Sequence, residues 1–298
     1  MPVKECCVVV SFFSPVAFTL PLQHLHTVIN SMHCQGVPLV FTQAVFPGQV
    51  PVSVPSSIPN ASYKTKSLLF HKERLWNLGA SLVESEKIIF LDGDVIFHNT
   101  DWIQKCADSL NYFDVIQPFH TANWLDSAGR PDRHRPSIAA AIASNAAPKL
   151  SEYHPGFGWG ITRKAFNELG GFYDAAVTGN SDALFALSLR SNKHHNAVEE
   201  WYRIRQDPHV LSPTYQDYKK RAVSLNLTVG FPSGVNLTHL YHGERSNRQY
   251  ITREKLFPRR PNNDYDIVEG SNGLQEWRDV EAANRSTESY FISKRDDG

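Results

Sequence analysis

Two aspartates separated by a single glycine, Asp92 and Asp94, follow an apolar run in the stretch KIIFLDGDVIF. The four residues before them, 88–91, are continuously hydrophobic, which is typical of a strand buried on both faces of a mostly parallel sheet. Ligands bind at the carboxyl ends of such strands, and carboxylates placed there suit a hard divalent cation. The pair therefore predicts a metal site, although a turn with two solvated carboxylates has the same sequence pattern.

Further candidate ligands lie far downstream. His239 and His242 belong to the stretch NLTHLYHGERSNRQYITR, which also contains three arginines. A Mg²⁺ or Mn²⁺ ion that bridges a diphosphate takes one or two carboxylates and often one more ligand. Either histidine can supply that ligand, and the residues alone leave the choice open. Asp182 follows Ser181 at a predicted helix start, where both residue types favour capping.

The elements that must position these side chains alternate between strand and helix, which predicts an α/β fold with a parallel sheet. Strands are predicted at residues 8–13, 39–46, 88–91 and 113–117, and helices at a segment ending near 31 and at 67–83, 101–110, 138–147, 162–169 and 183–190. In the stretch HPGFGWG, three glycines around Phe157 and Trp159 are expected to let the backbone approach a ligand closely. Gly170 and Gly171 are expected to end the helix before them.

Composition excludes several classes of protein. The 298 residues carry 30 basic and 30 acidic side chains, so the charge balance gives no indication of a nucleic-acid partner. No apolar run is long enough to predict a membrane span. The cysteines are Cys6, Cys7, Cys34 and Cys106, without the spacing of a zinc site or a disulfide framework. Reduced thiols and the lack of a recognisable signal peptide favour a cytoplasmic location.

Several motifs, taken together in their order and spacing, resemble the GT-A class of nucleotide-sugar-dependent glycosyltransferases. They are KSLLFHKERLWNLGASL, KIIFLDGDVIF, HPGFGWGITRKAFNELGGF, GNSDALFALSL and HLYHGERSNRQYITR. The sequence is most similar to small bacterial and viral-type members with a YHG....R.Y..R signature, and the tail segments NGLQEW and SYFISKR resemble the ending of that group. The similarity covers most of the chain.

This resemblance implies a single GT-A-like α/β domain with a mostly parallel, Rossmann-like nucleotide-binding sheet flanked by helices. Residues 1–120 would form the nucleotide-sugar-binding half, 121–255 the acceptor and catalytic half, and 256–298 a C-terminal extension packed on the domain. The implied donor is a UDP- or GDP-sugar, the cofactor Mn²⁺ or Mg²⁺, and the acceptor a hydroxyl of a glycan or glycoprotein. The implied enzyme is an inverting hexosyl- or pentosyltransferase.

The same resemblance implies a role for individual residues. Asp94 would bind the metal directly, Asp92 would lie nearer the donor while also counting among the metal ligands, and His242 would complete the metal site. Arg245 and Arg248 would face the diphosphate. Asp182 would deprotonate the acceptor hydroxyl, although Ser181 precedes it where inverting members often carry an acidic residue.

Other charged segments have two interpretations each. In the resembled group a basic residue at Lys72 approaches the nucleotide, but the run Lys72, Glu73 and Arg74 also fits a solvated helix face. One interpretation of Arg130, Arg133, His134 and Arg135 is that they bind an acidic acceptor. The preferred interpretation is that they belong to a mobile loop. Trp159 is expected in the core or pocket wall, His154 in a structural role, and His194, His195 and His209 on the surface.

Two alternatives to transfer remain at this stage. A sugar-nucleotide nucleotidyltransferase also combines aspartates and a metal on a similar sheet, but it would need a glycine- and arginine-rich loop directly after the first strand. The sequence there is SFFSPVAF. A catalytically inactive glycan-binding module would keep the fold but would not need Asp92, Asp94, Asp182 and His242 together. Their joint presence argues against this alternative.

Overall fold

The structure is a computed structural model that describes residues 5–144, 152–189, 208–249 and 252–297. The helices in these ranges are α1 (Thr19–Cys34), α2 (Lys72–Ala80), α3 (Trp102–Ser109), α4 (Ile138–Ala143), α5 (Arg163–Leu169), α6 (Ser181–Ser188), α7 (Pro213–Leu225) and α8 (Val280–Ser293). Three short 3₁₀ segments cover Pro208–Leu211, Arg245–Arg248 and Arg253–Lys255. Across the described ranges, none of the helices has both the length and the apolarity to cross a membrane.

The strands form two sheets and a hairpin. They are β1 (Cys6–Phe12), β2 (Leu39–Val45), β3 (Asn60–Lys64), β4 (Lys87–Leu91), β5 (Val95–Phe97), β6 (Val115–Ile116), β7 (Thr121–Leu125), β8 (Pro131–Pro136), β9 (Gly158–Thr162), β10 (Val229–Gly230), β11 (Asn236–His239), β12 (Ile267–Glu269) and β13 (Gln275–Trp277). The main sheet has the order β10-β6-β9-β4-β1-β2-β3, and the second has the order β5-β11-β7-β8.

The main sheet is mostly parallel. Strand β1 pairs in parallel with β2 and β4, and β3 extends β2 in the same direction. Only β9 reverses, because it runs antiparallel between β4 and β6. The predicted α/β class with a mostly parallel sheet flanked by helices is therefore confirmed.

Strand β4 lies at the centre of this sheet and is buried on both faces. Its alternate residues Ile88 and Phe90 pack in one hydrophobic cluster, while Ile89 and Leu91 pack in another. Side chains of successive strand residues point to opposite faces, so a continuous apolar run fills both layers. This arrangement fixes the end of β4, and the two aspartates after it, at the carboxyl edge of the sheet.

The two faces of the sheet are covered by different helices. Helix α1 packs with Leu25, Val28 and Ile29 in the same cluster as Leu91, and α3 adds Trp102 to it. Helices α2, α5, α6 and α7 supply apolar side chains to the cluster on the other face. The result is a three-layer architecture in which α2 and α6 lie on the same side of the sheet.

The predicted helix at 67–83 is shorter in the structure, since α2 begins only at Lys72. The residues before it are held by distant segments: the amide of Phe70 donates to the carbonyl of Val177, and Ser67 Oγ accepts from the amide of Trp277. The leucine at 69 packs with Trp277 and with Tyr290 of α8. The apolar residues before Lys72 are therefore buried by tertiary packing, whereas Leu75 and Leu78 lie on the helix as predicted.

The arginine-rich stretch after residue 123 is also different from its preferred interpretation. Only Arg130 lies in the connection between β7 and β8, whereas Arg133 and Arg135 belong to β8, which runs antiparallel to β7 and pairs them with Trp124 and Ala122. The guanidinium of Arg133 lies 4.6 Å from the centroid of the Trp124 ring. An edge strand tolerates many charged residues because one of its sides faces water. The polarity of this stretch therefore did not distinguish a strand from a loop.

Two of the three glycines near Phe157 serve the sheet and not a ligand. A Cβ on Gly158 would lie 2.5 Å from the carbonyl oxygen of Phe90, and one on Gly160 would lie 2.7 Å from Cγ1 of Ile116. Only Gly156 borders the candidate site, where its Cβ would lie 3.3 Å from Oδ2 of Asp182. Close packing between central strands explains the glycines better than the predicted ligand contact.

A Gly158→Ala substitution is expected to lower the free energy of unfolding by about 1–3 kcal/mol, because overpacking a tight core costs that much. The added methyl group meets the backbone of β4, which cannot rotate away as a side chain could. Chemical denaturation monitored by tryptophan fluorescence would measure the difference. Unchanged stability would show that β4 and β9 are less tightly packed than the structure shows.

Candidate metal and sugar-transfer site

Asp94 and His239 are brought together by strand pairing. Asp94 directly precedes β5, and β5 pairs with β11 so that Val95 lies opposite His239. The amide of Leu240 then donates to the carbonyl oxygen of Asp94 at 2.9 Å. The register of the second sheet therefore fixes the histidine beside the aspartate, although about half of the chain separates them.

His242 reaches the same point through a turn. Gly243 has φ +88°, a left-handed conformation that strains any other residue. Nε2 of His242 lies 2.9 Å from Oδ2 of Asp94, and Nε2 of His239 lies 3.5 Å from the same oxygen. The two imidazole nitrogens are 3.0 Å apart. Three potential ligand atoms thus converge on one small volume.

The protonation of this cluster suits a cation. Burial alone would raise the pKa of Asp94, but His239 and His242 outweigh it and hold that pKa well below its usual range. Burial lowers the pKa of His239 to about 4, although Asp94 acts in the opposite direction. At neutral pH the aspartate is then an anion, and His239 keeps a lone pair that can bind a metal.

The residues present fit a divalent ion. Within the described ranges, Asp94, His239 and His242 form a group whose ligand atoms all lie within 4.8 Å of one another. Oδ1 of Asp94 is buried and accepts no hydrogen bond from the described residues, whereas buried polar atoms normally have a partner. One carboxylate and two imidazoles suit Mn²⁺ or Zn²⁺ and leave coordination positions open for a ligand.

A second charged cluster surrounds Lys72 at the start of α2. Its Nζ lies 2.6 Å from Oδ2 of Asp182, 3.3 Å from Oδ1 of Asp92 and 3.4 Å from Oε1 of Glu73. The side chain of Lys72 is only 15% exposed, so the interpretation as a solvated helix face is wrong. Lys72 instead connects the carboxylates of Asp92 and Asp182.

Electrostatics in this second cluster favour a charged lysine. Burial alone would lower the pKa of Lys72, but Asp182 and Asp92 outweigh it and raise that pKa well above the usual value. Burial raises the pKa of Asp92 to about 7. Oδ1 of Asp92 and Oδ1 of Asp182 are buried and accept no hydrogen bond among the described residues. Both carboxylates therefore have capacity for a further polar partner.

Asp182 does not cap its helix. Helix α6 begins at Ser181, its N-cap is Asn180, and no side chain accepts a capping hydrogen bond there. Asp182 lies in the first turn, where a negative charge is favourable. Its carboxylate forms an ion pair with Lys72, so the capping explanation for this residue loses its support.

Both clusters line one pocket of about 560 Å³ at the carboxyl edge of β1 and β4. Its aromatic wall includes Phe157, which stacks on His239 with ring centroids 4.7 Å apart, and Trp124, whose centroid lies 5.0 Å from that of Phe157. Arg245 and Arg248, on the 3₁₀ segment after Gly243, border the same space. The pocket therefore contains every residue that the sequence had assigned to metal, donor or base: Lys72, Asp92, Asp94, Asp182, His242, Arg245 and Arg248.

Among the remaining histidines of the described ranges, His209 differs from its prediction. His154 lines the pocket, and burial lowers its pKa well below the usual value. His209 was expected on the surface, but it is buried, and its Nε2 lies 2.6 Å from the Tyr173 hydroxyl. That expectation was wrong because a tyrosine from another element supplies the polar partner. His194 and His195 lie outside the described residues.

Sequence reasoning missed the contribution of the C-terminal tail. Asp296 is buried, with a side chain only 6% exposed, and it forms ion pairs with Lys294 at 2.8 Å and with Arg248 at 3.2 Å. Both Lys294 and Asp296 line the pocket beside His242. No local pattern in SKRDDG marks either residue as part of a site, because their position depends on the packing of α8.

Comparison with known proteins gives a distant likeness in shape. No protein-family model matches the sequence, and no curated protein matches it. S. aureus TarS 1-349 in complex with UDP is 11% identical with a TM-score of 0.46, over 85% of this chain and 64% of that one. The catalytic domain of Drosophila beta1,4-galactosyltransferase 7 with xylobiose is 13% identical with a TM-score of 0.33, over 63% of this chain and 61% of that one.

A mutant of the same Drosophila enzyme in complex with manganese, UDP-Gal and xylobiose is 11% identical with a TM-score of 0.40, over 95% of this chain and 98% of that one. The chain spans between 54% and 64% of the first three solved chains that it resembles. Likeness at this level describes the path of the chain only.

Proposed function

We propose that this protein transfers a sugar from a nucleotide-sugar donor to a hydroxyl group of a glycan, with a divalent cation and with inversion at the anomeric carbon. One observation carries the proposal: a single pocket holds a cation-binding cluster, Asp94 with His239 and His242, and a separate ion-paired carboxylate, Asp182. Displacement of a nucleoside diphosphate from a sugar requires positive charge on the leaving side and a base on the acceptor side.

The donor side is formed by the ends of β4 and β11. A divalent ion held by Asp94, His239 and His242 would supply positive charge for the diphosphate. Arg245 and Arg248 border the pocket next to these ligands and add donors that suit phosphate oxygens. Asp92 lies between this side and Lys72, where its carboxylate can accept hydrogen bonds from ribose or sugar hydroxyls.

The acceptor side is formed by α6 and α2. The acceptor oxygen attacks the anomeric carbon, the bond from that carbon to the diphosphate oxygen breaks, and its electron pair leaves with the nucleoside diphosphate. The proton of the acceptor hydroxyl passes to the carboxylate of Asp182. Lys72 holds Oδ2 of Asp182 at 2.6 Å and so fixes the orientation of the base.

A ligand panel tests this proposal. The full chain is mixed with UDP- and GDP-sugars, with Mn²⁺ or with excess EDTA, and the unfolding temperature is recorded. A donor that binds only the folded state at 100 times its dissociation constant stabilises it by about 2.7 kcal/mol. We expect such stabilisation for a subset of nucleotide sugars, and only with the cation, because the diphosphate needs it as a counter-charge.

Release of the nucleoside diphosphate is then measured with the stabilising donor and a set of glycans. Free sugars and the matching nucleoside monophosphate serve as controls for non-specific binding. The proposal would be contradicted if no nucleotide sugar raised the unfolding temperature, or if the rise were equally large in EDTA.

A further inference from the structure

Both ring nitrogens of His242 lie among polar groups, and Nη2 of Arg248 contacts the two of them, Nδ1 and, at 3.2 Å, Nε2. Its Nε2 lies 2.9 Å from Oδ2 of Asp94, and a carboxylate that is ionised can only accept. Its Nδ1 is contacted by Nη2 of Arg248, and a guanidinium can only donate. The shorter contact of Arg248 is with Nδ1 and the carboxylate oxygen faces Nε2, so this arrangement favours the tautomer with its proton on Nε2.

That tautomer cannot bind a cation through Nε2. A metal ligand needs a free lone pair, so the proton of the ring must move to Nδ1 when Nε2 coordinates. An N–H at Nδ1 cannot accept the hydrogen bond that Arg248 donates there, because two donors would then face each other. Cation binding at His242 therefore requires another group, an acceptor, within reach of Nδ1.

Asp296 is placed to be that acceptor. Its Oδ1 lies 3.8 Å from Nδ1 of His242, is buried, and accepts no hydrogen bond among the described residues. The neighbouring cations Lys294, at 2.8 Å, and Arg248, at 3.2 Å, favour the ionised carboxylate. A small movement of the imidazole toward Asp296 closes the gap to hydrogen-bonding distance.

The tail that carries Asp296 is fastened to the turn that carries His242. A Cβ on Gly243 would lie 2.5 Å from the carbonyl oxygen of Arg295, so the two segments are in direct backbone contact. One residue further, Oδ1 of Asp297 accepts a hydrogen bond of 2.7 Å from the amide of Leu20 at the start of α1. Contacts of the residues on either side of Asp296, Arg295 and Asp297, therefore fix its position relative to the imidazole.

We propose that Asp296 is a positioning residue of the metal centre: it accepts the Nδ1 proton of His242 and thereby selects the tautomer whose Nε2 binds the divalent cation. Arg248 gives up its contact with Nδ1 in the same step and remains paired with Asp296. The proposal rests on the proposed function only in that the cation is the one used in transfer. Carboxylates in this outer position orient metal-binding histidines in many metal sites.

The test is a titration of the full chain with Mn²⁺ alone, followed by calorimetry and by the signal of free Mn²⁺ in electron paramagnetic resonance. We expect Asp296→Ala to weaken cation binding by about 10–100-fold, which is typical for loss of an outer carboxylate. The matched control is Asp297→Asn, which removes a carboxylate one residue along the same tail but keeps an oxygen that accepts from the amide of Leu20, and it should leave the affinity unaltered. Asp296→Glu should restore part of the affinity.

A second measurement separates this role from a loss of folding. Nitrogen-15 NMR of the imidazole distinguishes the two tautomers, and His242 in the parent should change from Nε2–H to Nδ1–H on addition of diamagnetic Zn²⁺. Parental affinity in Asp296→Ala, or a ring that keeps its Nε2 proton with the cation bound, would overturn the proposal. Because no nucleotide is present, the result is independent of whether the protein transfers sugars.

Discussion

Replacement of Asp182 by asparagine is expected to lower turnover by about 10²–10⁴-fold, the usual contribution of a general base. Asparagine can still accept a hydrogen bond from Lys72 at the same place, so the pocket keeps its shape, but an amide cannot take the proton of the acceptor hydroxyl. Donor and cation affinities should therefore persist while the rate falls. Steady-state kinetics and a separate nucleotide titration measure the two quantities.

The chain offers a matched control in Asp174. Its carboxylate is 17% exposed and forms an ion pair of 3.2 Å with Arg74, also on α2. Asp174→Asn removes a similar charge, paired like Asp182 with a cation of α2, without touching the pocket lining, and its turnover should remain normal. Near-normal turnover in Asp182→Asn would remove Asp182 from the role of base. Retained anomeric configuration in the product, seen by NMR, would do the same.

Exchange of Asp94 for asparagine is expected to abolish both cation binding and transfer. The change replaces the one anionic member of the three-residue ligand group by a neutral amide. Its effect on cation affinity should exceed the roughly 10–100-fold that loss of an outer partner costs. Isothermal titration with Mn²⁺ gives the affinity, and release of nucleoside diphosphate gives the activity.

The comparison variant for this experiment is Asp92→Asn. Asp92 precedes Asp94 by two residues, but its carboxylate forms an ion pair with Lys72, and it is not a member of the ligand group. We expect it to reduce donor binding more than cation binding. If Asp92→Asn lowered the cation affinity more than Asp94→Asn, the cation site would be assigned to the part of the pocket near Lys72 and not to the histidines.

The sequence was informative where local chemistry decides the structure. An apolar run that fills both faces of a sheet is recognisable from its residues, and β4 lies where the run predicts. The helix stop at Gly170 is equally local, because its φ of +81° favours a residue without a side chain. From these features the edge of the sheet, and the two aspartates on it, could be predicted.

The sequence was poor where a contact depends on distant segments. Lys72 and Asp182 are 110 positions apart, and nothing near either residue indicates that they form an ion pair. The strand character of β8 was hidden by its charges, and Asp296 reaches His242 only because α8 returns the chain to the pocket. In each case a register or a packing face decides the outcome, and these are properties of the assembled tertiary structure.

The pairing of β5 with β11 also bears on how the chain folds. In this sheet the imidazole of His98 bonds to the hydroxyl of Thr238, and 140 positions separate the two residues. Contacts between such remote segments carry a large loop-closure entropy and slow the folding of domains that depend on them. The cation ligands carried by this pair of strands meet only when the long loop between them is closed. A bound ion would therefore stabilise the closed chain and not a local fragment of it.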